Sequence, residues 1–466
     1  MNRHYHLIGI GGIGMSGIAQ LLLKQGNVVS GSDIKESKIL DTLRNMGAHI
    51  FAGHDAGHLQ GAQTVIYSTA IHEDNPEIQE AKKQGVLLLR RAEALAGLMQ
   101  DKSVITVTGS HGKTTTTSLV SSMLLGAGLT PTVAIGGIFK NIDNNATLGR
   151  GDYFVAEADE SDGTFLYYRP KYSIITNIDR EHLDYYGNFD NELKAFAEFI
   201  SQTSPQGCLF SCYDDAYLRN LVNDYKYKCV QFGLSESADI HPKDIKLQGL
   251  GSEFDCVYKD KFLDRFYLRL GGRHNITNAL AVIALGIELG IGLGHIKKAL
   301  ADFLGTRRRS DVRFDNDNYL LIDDYAHHPT EIKATLSAVR PLRKRVIAVF
   351  QPHRYTRTKL LLEEFGLCFD LADEVIITDI YPANEKPIPG INARLIVEII
   401  RKYNPRKNVL FLEKDQICAH VLGMLKPADL VITLGAGDIV KVCDELAEKL
   451  KTKSSEECPA KKIYQF

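Results

Sequence analysis

Val104-Ile105-Thr106-Val107-Thr108-Gly109-Ser110-His111-Gly112-Lys113-Thr114-Thr115-Thr116-Thr117-Ser118-Leu119 decides the fold of this chain. An apolar, β-branched run stops at glycine and restarts as a helix, which leaves free backbone N–H groups at a helix N-terminus where the dipole favours an anion. The geometry suits a polyphosphate cradled by Gly109, Ser110, His111 and Gly112. Lys113 is then expected along the β and γ oxygens, and the hydroxyl of Thr114 or Thr115 on a bridging Mg²⁺. The full G-x-x-x-x-G-K-[ST] pattern would need glycine at 107, where the chain has Val107, so a shorter loop, Gly109 to Thr114, remains. The bland alternative is a glycine turn with a solvated lysine. The order of strand, loop and helix argues for the phosphate reading.

The chain has 466 residues, too many for one hydrophobic core, and ~100 to 200 residues per domain suggests three domains. With 44% hydrophobic and 24% charged residues the composition is that of a globular protein. A net charge of −2 supplies no basic field for nucleic acid or an anionic membrane. Small-molecule partners are expected. No segment reaches a spanning length of ~20 apolar residues and MNRHYHLIGIGGIG does not read as a signal peptide, so a cytoplasmic location is expected. Eight cysteines are scattered without a CxxC pair, which points to reduced thiols rather than a disulfide framework or zinc site.

Upstream of the phosphate loop, a short apolar run ends in Gly9-Ile10-Gly11-Gly12-Ile13-Gly14 and a helical stretch. A second strand then leads to Gly31-Ser32-Asp33. Strand, G-x-G-x-x-G, helix, strand and acidic residue form a dinucleotide-type fingerprint, which implies a diphosphate-bearing nucleotide without saying which. A later strand, residues 63–67, delivers Ser68, Thr69 and His72 to the same carboxyl edge. The plain alternative is that these turns only connect βα units.

Downstream, a strand at 153–156 ends in Glu157-Ala158-Asp159-Glu160-Ser161-Asp162. Another at 172–176 ends in Asn177-Ile178-Asp179-Arg180-Glu181-His182. Carboxylates gathered beside a polyphosphate repel unless a cation is present, and oxygen ligands with one imidazole suit Mg²⁺. Residues 207–264 carry no assignable motif and read as the rest of an α/β domain or an antiparallel flap. Asn275 and Asn278, at the start of an apolar helix, either cap it or present amides to a purine edge. Arg307-Arg308-Arg309 is either a solvated face or a phosphate clamp between domains.

From about Asp311 a fresh α/β rhythm starts, with strands at 319–322, 345–350, 374–378, 408–412 and 429–434, so a second mostly parallel sheet is expected. Its polar residues gather at strand ends: Asp324, Tyr325, His327 and His328 after the first, His353, Arg354, Tyr355 and Arg357 after the second. Open α/β sheets place ligands there, and this set suits a small carboxylate. Residues 451–466 read as a short mobile tail.

The blocks GIGGIGMSG, TGSHGKTTTT, EADESDGTF, TNIDREHLDYYG, GGRHNITNA, DDYAHHPTE, PHRYTRT and LGAGD, in order from Gly9 to Asp438, resemble the Mur ligases. PHRYTRT and GIGGIGMSG resemble the L-alanine-adding member rather than those adding later residues. The resemblance implies a three-domain α/β protein. A Rossmann-like domain over 1–100 would hold UDP-N-acetylmuramate. A P-loop ATPase-like domain with a mostly parallel sheet over 101–310 would bind ATP and two Mg²⁺. A Rossmann-like domain over 311–450 would bring L-alanine. By resemblance, Gly11, Gly12 and Gly14 lie against the UDP diphosphate, Asp33 near the uridine, and Ser68, Thr69 and His72 line that pocket. Lys113, Thr114, Glu157 and His182 match catalytic and metal-binding positions. Asn275 and Asn278 match adenine contacts, Arg309 the arginine facing the γ-phosphate, and Asp324 the ribose contact. Tyr325, His327, His353, Arg354 and Arg357 match the pocket for alanine. No lysine stands in register for carbamylation; Lys194 is nearest and off register. A nicotinamide-dependent oxidoreductase would leave Lys113, Glu157 and His182 without a role, and a nucleotide sensor would leave the acidic and arginine elements unused. A ligase recycling whole peptides is the nearest rival within the family.

Overall fold

The computed structural model describes residues 2–457. Three sheets, one per expected domain, are distributed over two compact units. The first unit runs through Ile245 and includes Glu253–Arg269 and His274–Thr306; the second comprises Lys246–Ser252, Leu270–Arg273 and the chain from Arg307. Arg308 and Arg309 therefore belong with the C-terminal unit.

The first sheet has five parallel strands in the order His49–Ala52, Val28–Asp33, His4–Ile8, Thr64–Tyr67, Leu87–Arg90. Because the order reverses beside His4–Ile8, the turns after that strand and after Thr64–Tyr67 share one carboxyl edge. A buried Glu77 supports this sheet: it accepts from Ser32 Oγ at 2.6 Å and pairs with His54 Nδ1 at 3.0 Å and His58 Nδ1 at 2.8 Å. Burial would raise its pKa, but hydrogen bonds from His6, Ser32 and His58 take it down to about 2.

The ten-stranded second sheet centres on Ser103–Thr108, flanked in parallel by Tyr153–Glu157 and Tyr172–Ile175. Both neighbours carry acidic loops to the end where Ser103–Thr108 opens into the phosphate loop. Thr132–Phe139 and Asn144–Thr147 add a hairpin that sequence reading left unassigned. Its Asn144 and Asn145 bond Gln20 of the helix Ile13–Lys24 at 2.6 and 3.0 Å, which accounts for the first two sheets sharing one unit. The motif-free 207–264 stretch resolves into both alternatives. Cys208–Cys212 and Cys229–Phe232 extend the parallel sheet, and Ile240–Gln248, Gly251–Tyr258 and Lys261–Leu268 follow as a meander.

The third sheet is ordered Asp311–Asp315, Tyr319–Asp324, Asp429–Leu434, Arg345–Phe350, Glu374–Ile377, Asn408–Phe411. Leu320, Ile322, Val346, Ala348 and Phe350 join a core on one face; Tyr319, Leu321, Ile347 and Val349 join another core on the opposite face. Burial on both faces is why these strands read as unbroken apolar runs. The edge strand Asp311–Asp315 pairs antiparallel and is too polar to stand out in the sequence. The helix Val440–Glu457 runs through the first residues of the expected mobile tail, and Cys458 onward lies outside the described residues.

Candidate active site

The phosphate loop is held by its neighbour rather than by itself. Asn177 Oδ1 accepts from His111 N at 2.9 Å, Asn177 Nδ2 donates to His111 O at 3.0 Å, and Thr176 Oγ1 donates to the same carbonyl at 2.6 Å. Ser110 N donates to Asn177 O at 3.0 Å, and Ser110 Oγ accepts from Asp179 N at 2.8 Å. The backbones approach so closely that a Cβ on Gly109 would lie 2.3 Å from Thr176 Oγ1, and Gly109 has φ of +121°. Gly112, at φ +84°, turns the chain into the helix Lys113–Gly126, with Asn278 Oδ1 2.8 Å from where a Cβ would sit. Asn278 and Asn275 are buried beside this loop and bond each other at 3.4 Å, so the pair lies at the phosphate end of its helix.

Lys113 donates to Gly109 O at 2.7 Å, Ser110 O at 3.2 Å and Glu160 Oε1 at 2.7 Å. Desolvation opposes its charge, but Glu160 and Asp159 outweigh it and hold the lysine above its ordinary range. Thr114 Oγ1 donates to Glu157 Oε1 at 3.1 Å, and Gly136 N donates to Glu157 Oε2 at 2.9 Å; Thr115 stays half-buried beside them. The sequence-predicted hydroxyl and carboxylate for a metal are thus adjacent. His182 takes a left-handed backbone, φ +55°, and its Nε2 lies 3.6 Å from Glu160 Oε1 and 3.5 Å from Glu181 Oε2. A non-glycine residue held there costs energy and marks a constrained position.

Glu160, which the sequence reading left as one acid among several, is the hub. It is fully buried, touches Lys113 and His182, and accepts at its backbone oxygen from Tyr186 Oη at 2.5 Å. Burial pushes its pKa up to about 7 against the pull of Lys113. Glu192, on the helix Phe189–Ser201, is likewise buried and is pushed up to about 8 by desolvation and by Glu160 and Glu181. The EADESDG block marked an acidic strand end but not which carboxylate meets Lys113, and nothing local flags Glu192.

At the glycine turn, Asp33 turns inward: its Oδ2 accepts from Gly11 N at 2.9 Å and its Oδ1 from Lys35 N at 3.1 Å. Gly12 caps the helix Ile13–Lys24, and a Cβ on Gly14 would meet Arg91 Nη1 at 2.9 Å. Arg91, which sequence reading missed, sets a cation over the turn and lies 4.0 Å from Asp159. Its signal was the position just after the strand Leu87–Arg90. Thr69 Oγ1 donates to Asp162 at 2.9 Å, Ser68 Oγ accepts from Ala70 N at 3.2 Å, and the carbonyl of His72 accepts from Asn75 N at 3.1 Å.

In the C-terminal unit, Tyr325 lies between two guanidiniums, Arg308 at 5.1 Å and Arg309 at 4.9 Å from its ring centre. Arg308 is structural, bonding Gly435 O at 2.6 Å and Asp323 at 3.3 Å. Arg309 reaches Glu331 at 3.7 Å. Asp324, raised to about 6 by burial, accepts from Ser310 N at 2.6 Å and Ala326 N at 2.8 Å, so in this structure it braces the strand end. His327 packs on His353 at 5.6 Å, His353 stacks on Tyr381 at 5.6 Å, and Arg357 Nη1 meets His353 Nδ1 at 3.4 Å. Burial and then the charges of His327, Arg357 and Arg354 lower His353 to about 2, so it stays neutral while the arginines carry the charge. Arg354 has φ +71° and is anchored through its N–H to Tyr381 O at 2.9 Å.

A diphosphate-type glycine turn and a phosphate loop ringed by carboxylates in one unit, with an arginine–histidine pocket in the other, are the parts of a nucleotide-dependent ligase. Three family descriptions match in chain order: "Mur ligase family, catalytic domain" over residues 4–103, "Mur ligase middle domain" over 107–286, and "Mur ligase, glutamate ligase domain" over 308–437. The chain is 43% identical over 447 residues to the UDP-N-acetylmuramate--L-alanine ligase of Geotalea uraniireducens, covering 96% of this chain and 98% of that one. It is 45% identical over 451 residues to the enzyme of the same name from Pelotomaculum thermopropionicum, with 96% and 98% covered. Among solved structures, the UDP-N-acetylmuramate-alanine ligase MurC of Thermotoga maritima superposes with a TM-score of 0.84 at 30% identity, covering 97% of this chain and 99% of that chain. The chain belongs to the Mur ligase family.

Proposed function

We infer that this protein is an ADP-forming ligase that joins L-alanine to UDP-N-acetylmuramate at the expense of ATP, a step of peptidoglycan precursor synthesis. The observation that carries the reading is the Lys113–Glu160–His182 cluster beneath the phosphate loop, supported by full-length likeness to ligases of that name. A carboxylate and an amine do not condense at useful rates in water. The lactyl carboxylate of the sugar therefore attacks the γ-phosphoryl group, forming an acyl phosphate and releasing ADP. The amine of alanine then adds to that carbonyl carbon, and the tetrahedral intermediate expels phosphate.

Two anions meet in the first step, so the charge of Lys113, together with Arg309 as proposed for the γ-phosphate, offsets their repulsion and the charge of the transferring group. The orphan backbone N–H groups at the start of the helix Lys113–Gly126 would face the phosphates, with the loop Gly109 to Gly112 held in shape by Asn177, and Asn275 and Asn278 would flank them. Thr114, Glu157 and His182 would hold Mg²⁺. The donor set fits, since it is hard oxygen with one imidazole and Glu160 Oε2 is buried with no hydrogen-bond partner among the described residues. The ion would supply charge neutralisation across the phosphates. Gly11, Gly12, Gly14 and Arg91 suit the sugar-nucleotide diphosphate, with Ser68, Thr69 and His72 beside it. Tyr325, His327, His353, Arg354 and Arg357 suit the alanine carboxylate, a neutral His353 leaving the binding charge on the arginines. No helix among the described residues is long and apolar enough to cross a membrane, in keeping with a cytoplasmic enzyme acting on soluble precursors. Phosphate release with UDP-N-acetylmuramate and ATP, across free amino acids and one tripeptide, tests the reading. Release dependent on L-alanine is expected, and release dependent only on the tripeptide would overturn it.

A further inference from the structure

Glu192 has no part in the chemistry described so far. It stands in the first turn of the helix Phe189–Ser201, is 0% exposed, and neither of its carboxylate oxygens has a hydrogen-bond partner among the described residues. Buried acceptors without donors are rare, and each one needs a cause. Glu160, Glu181 and Asp179 act on it as like charges, with Lys113 opposing them. Lys113 cannot serve it, because its three protons are committed to Gly109 O, Ser110 O and Glu160 Oε1. Glu160 Oε2 is also without a partner among the described residues, so three buried carboxylate oxygens on these two glutamates lack a donor. The helix start is tied to Glu160: Asn191 Nδ2 bonds Tyr186 O at 2.9 Å, and Tyr186 Oη bonds Glu160 O at 2.5 Å. Chain donors do not complete this arrangement, whereas a hydrated divalent cation does: Mg²⁺ retains several waters, and carboxylates outside its direct shell accept from them.

We propose that Glu192 is a positioning residue of the ligase, accepting hydrogen bonds from the water shell of the divalent cation on the His182 side of the phosphate loop and thereby fixing where that cation sits. The proposal rests on the ATP and Mg²⁺ reading above. It assigns Glu192 no contact with ATP or with the reacting atoms, so losing its charge should weaken the cation and leave the nucleotide alone.

The test is a titration of the full-length protein with Mn²⁺ in the presence of ADP, followed by electron paramagnetic resonance, for wild type, Glu192→Gln and Glu192→Asp. Melting temperatures and metal-free ADP affinity are measured alongside. Glu192→Gln is expected to bind Mn²⁺ about 10-fold more weakly or worse. Its ADP affinity should be unchanged, its half-saturating Mg²⁺ in turnover raised to match, and kcat recovered at saturating Mg²⁺. Glu192→Asp, which keeps the charge, should fall between and decides the matter should the glutamine variant not fold. A folded Glu192→Gln with wild-type Mn²⁺ affinity and Mg²⁺ requirement overturns the proposal and leaves Glu192 a protonated core residue. Wild-type protein that takes up no Mn²⁺ with ADP overturns the underlying reading as well, so the two failures are distinguishable.

Discussion

The phosphate-loop cluster of the first unit and the arginine–histidine pocket of the second solve opposite problems. Around Lys113 carboxyl groups are in excess: Glu157, Asp159, Glu160, Glu181 and Glu192 against one lysine and His182, and burial raises Glu160 to about 7 and Glu192 to about 8. Around His353 the excess is positive: Arg354 and Arg357 with Arg308 and Arg309 nearby, beside a histidine that burial and those charges keep neutral. The first suits a centre that acquires cations along with an anionic substrate. The second, with its charge already on the arginines, suits a small carboxylate. Rigidity differs too. Backbone and amide bonds from residues 176–179 stitch the phosphate loop, whereas the pocket rests on stacked rings and the strained Arg354.

The largest expected effect breaks the negative cluster. Lys113→Ala should cut turnover by ~10²-fold or more while UDP-sugar binding survives. Near-normal ADP release by that variant would remove the lysine from the reaction. Because the change also leaves the buried Glu160 carboxyl without its partner, it should lower stability, by about 1 to 3 kcal/mol. Adding Glu160→Gln should recover the melting temperature without recovering turnover, which separates the chemical role of the lysine from its structural one.

Arg357→Ala probes the positive pocket. The KM for alanine should rise by about 10-fold or more, as for a lost charge-assisted bond of at least ~1.4 kcal/mol, with little change in the KM for ATP. An unchanged alanine KM would exclude Arg357 from the pocket. Glu77 offers a contrast remote from both regions. Its folded pKa is depressed, so its contribution to stability is present above the unfolded value near 4.5 and is lost as pH falls toward about 2. Glu77→Gln should therefore lower the melting temperature at pH 7, by roughly 3 °C or more, and the gap to wild type should close in acid. A gap independent of pH would mean packing, not charge, holds Glu77.

Local chemistry explains what could be read in advance. The strand, loop and helix around Lys113 lie in one stretch, and a lysine after Gly112 has few places to go. The same holds for Gly11, Gly12 and Gly14, and for the polar residues that follow Tyr319–Asp324 and Arg345–Phe350. Pairings between distant segments were not readable. That Asp33 closes its own turn on Gly11 was not readable either; Arg91 over Gly14, Glu160 on Lys113 and the Asn177 brace are made by residues 47 to 77 positions apart.

The sequence by itself determined the three α/β segments, the order of their strands along the chain and the residues delivered to each carboxyl edge, because period and turn chemistry act over a few residues. Which carboxylate meets Lys113, which burial and charges keep His353 neutral and which glutamate is buried without a donor among the described residues were decided only by the tertiary structure. Those outcomes depend on which strands lie side by side and on how much water their packing excludes.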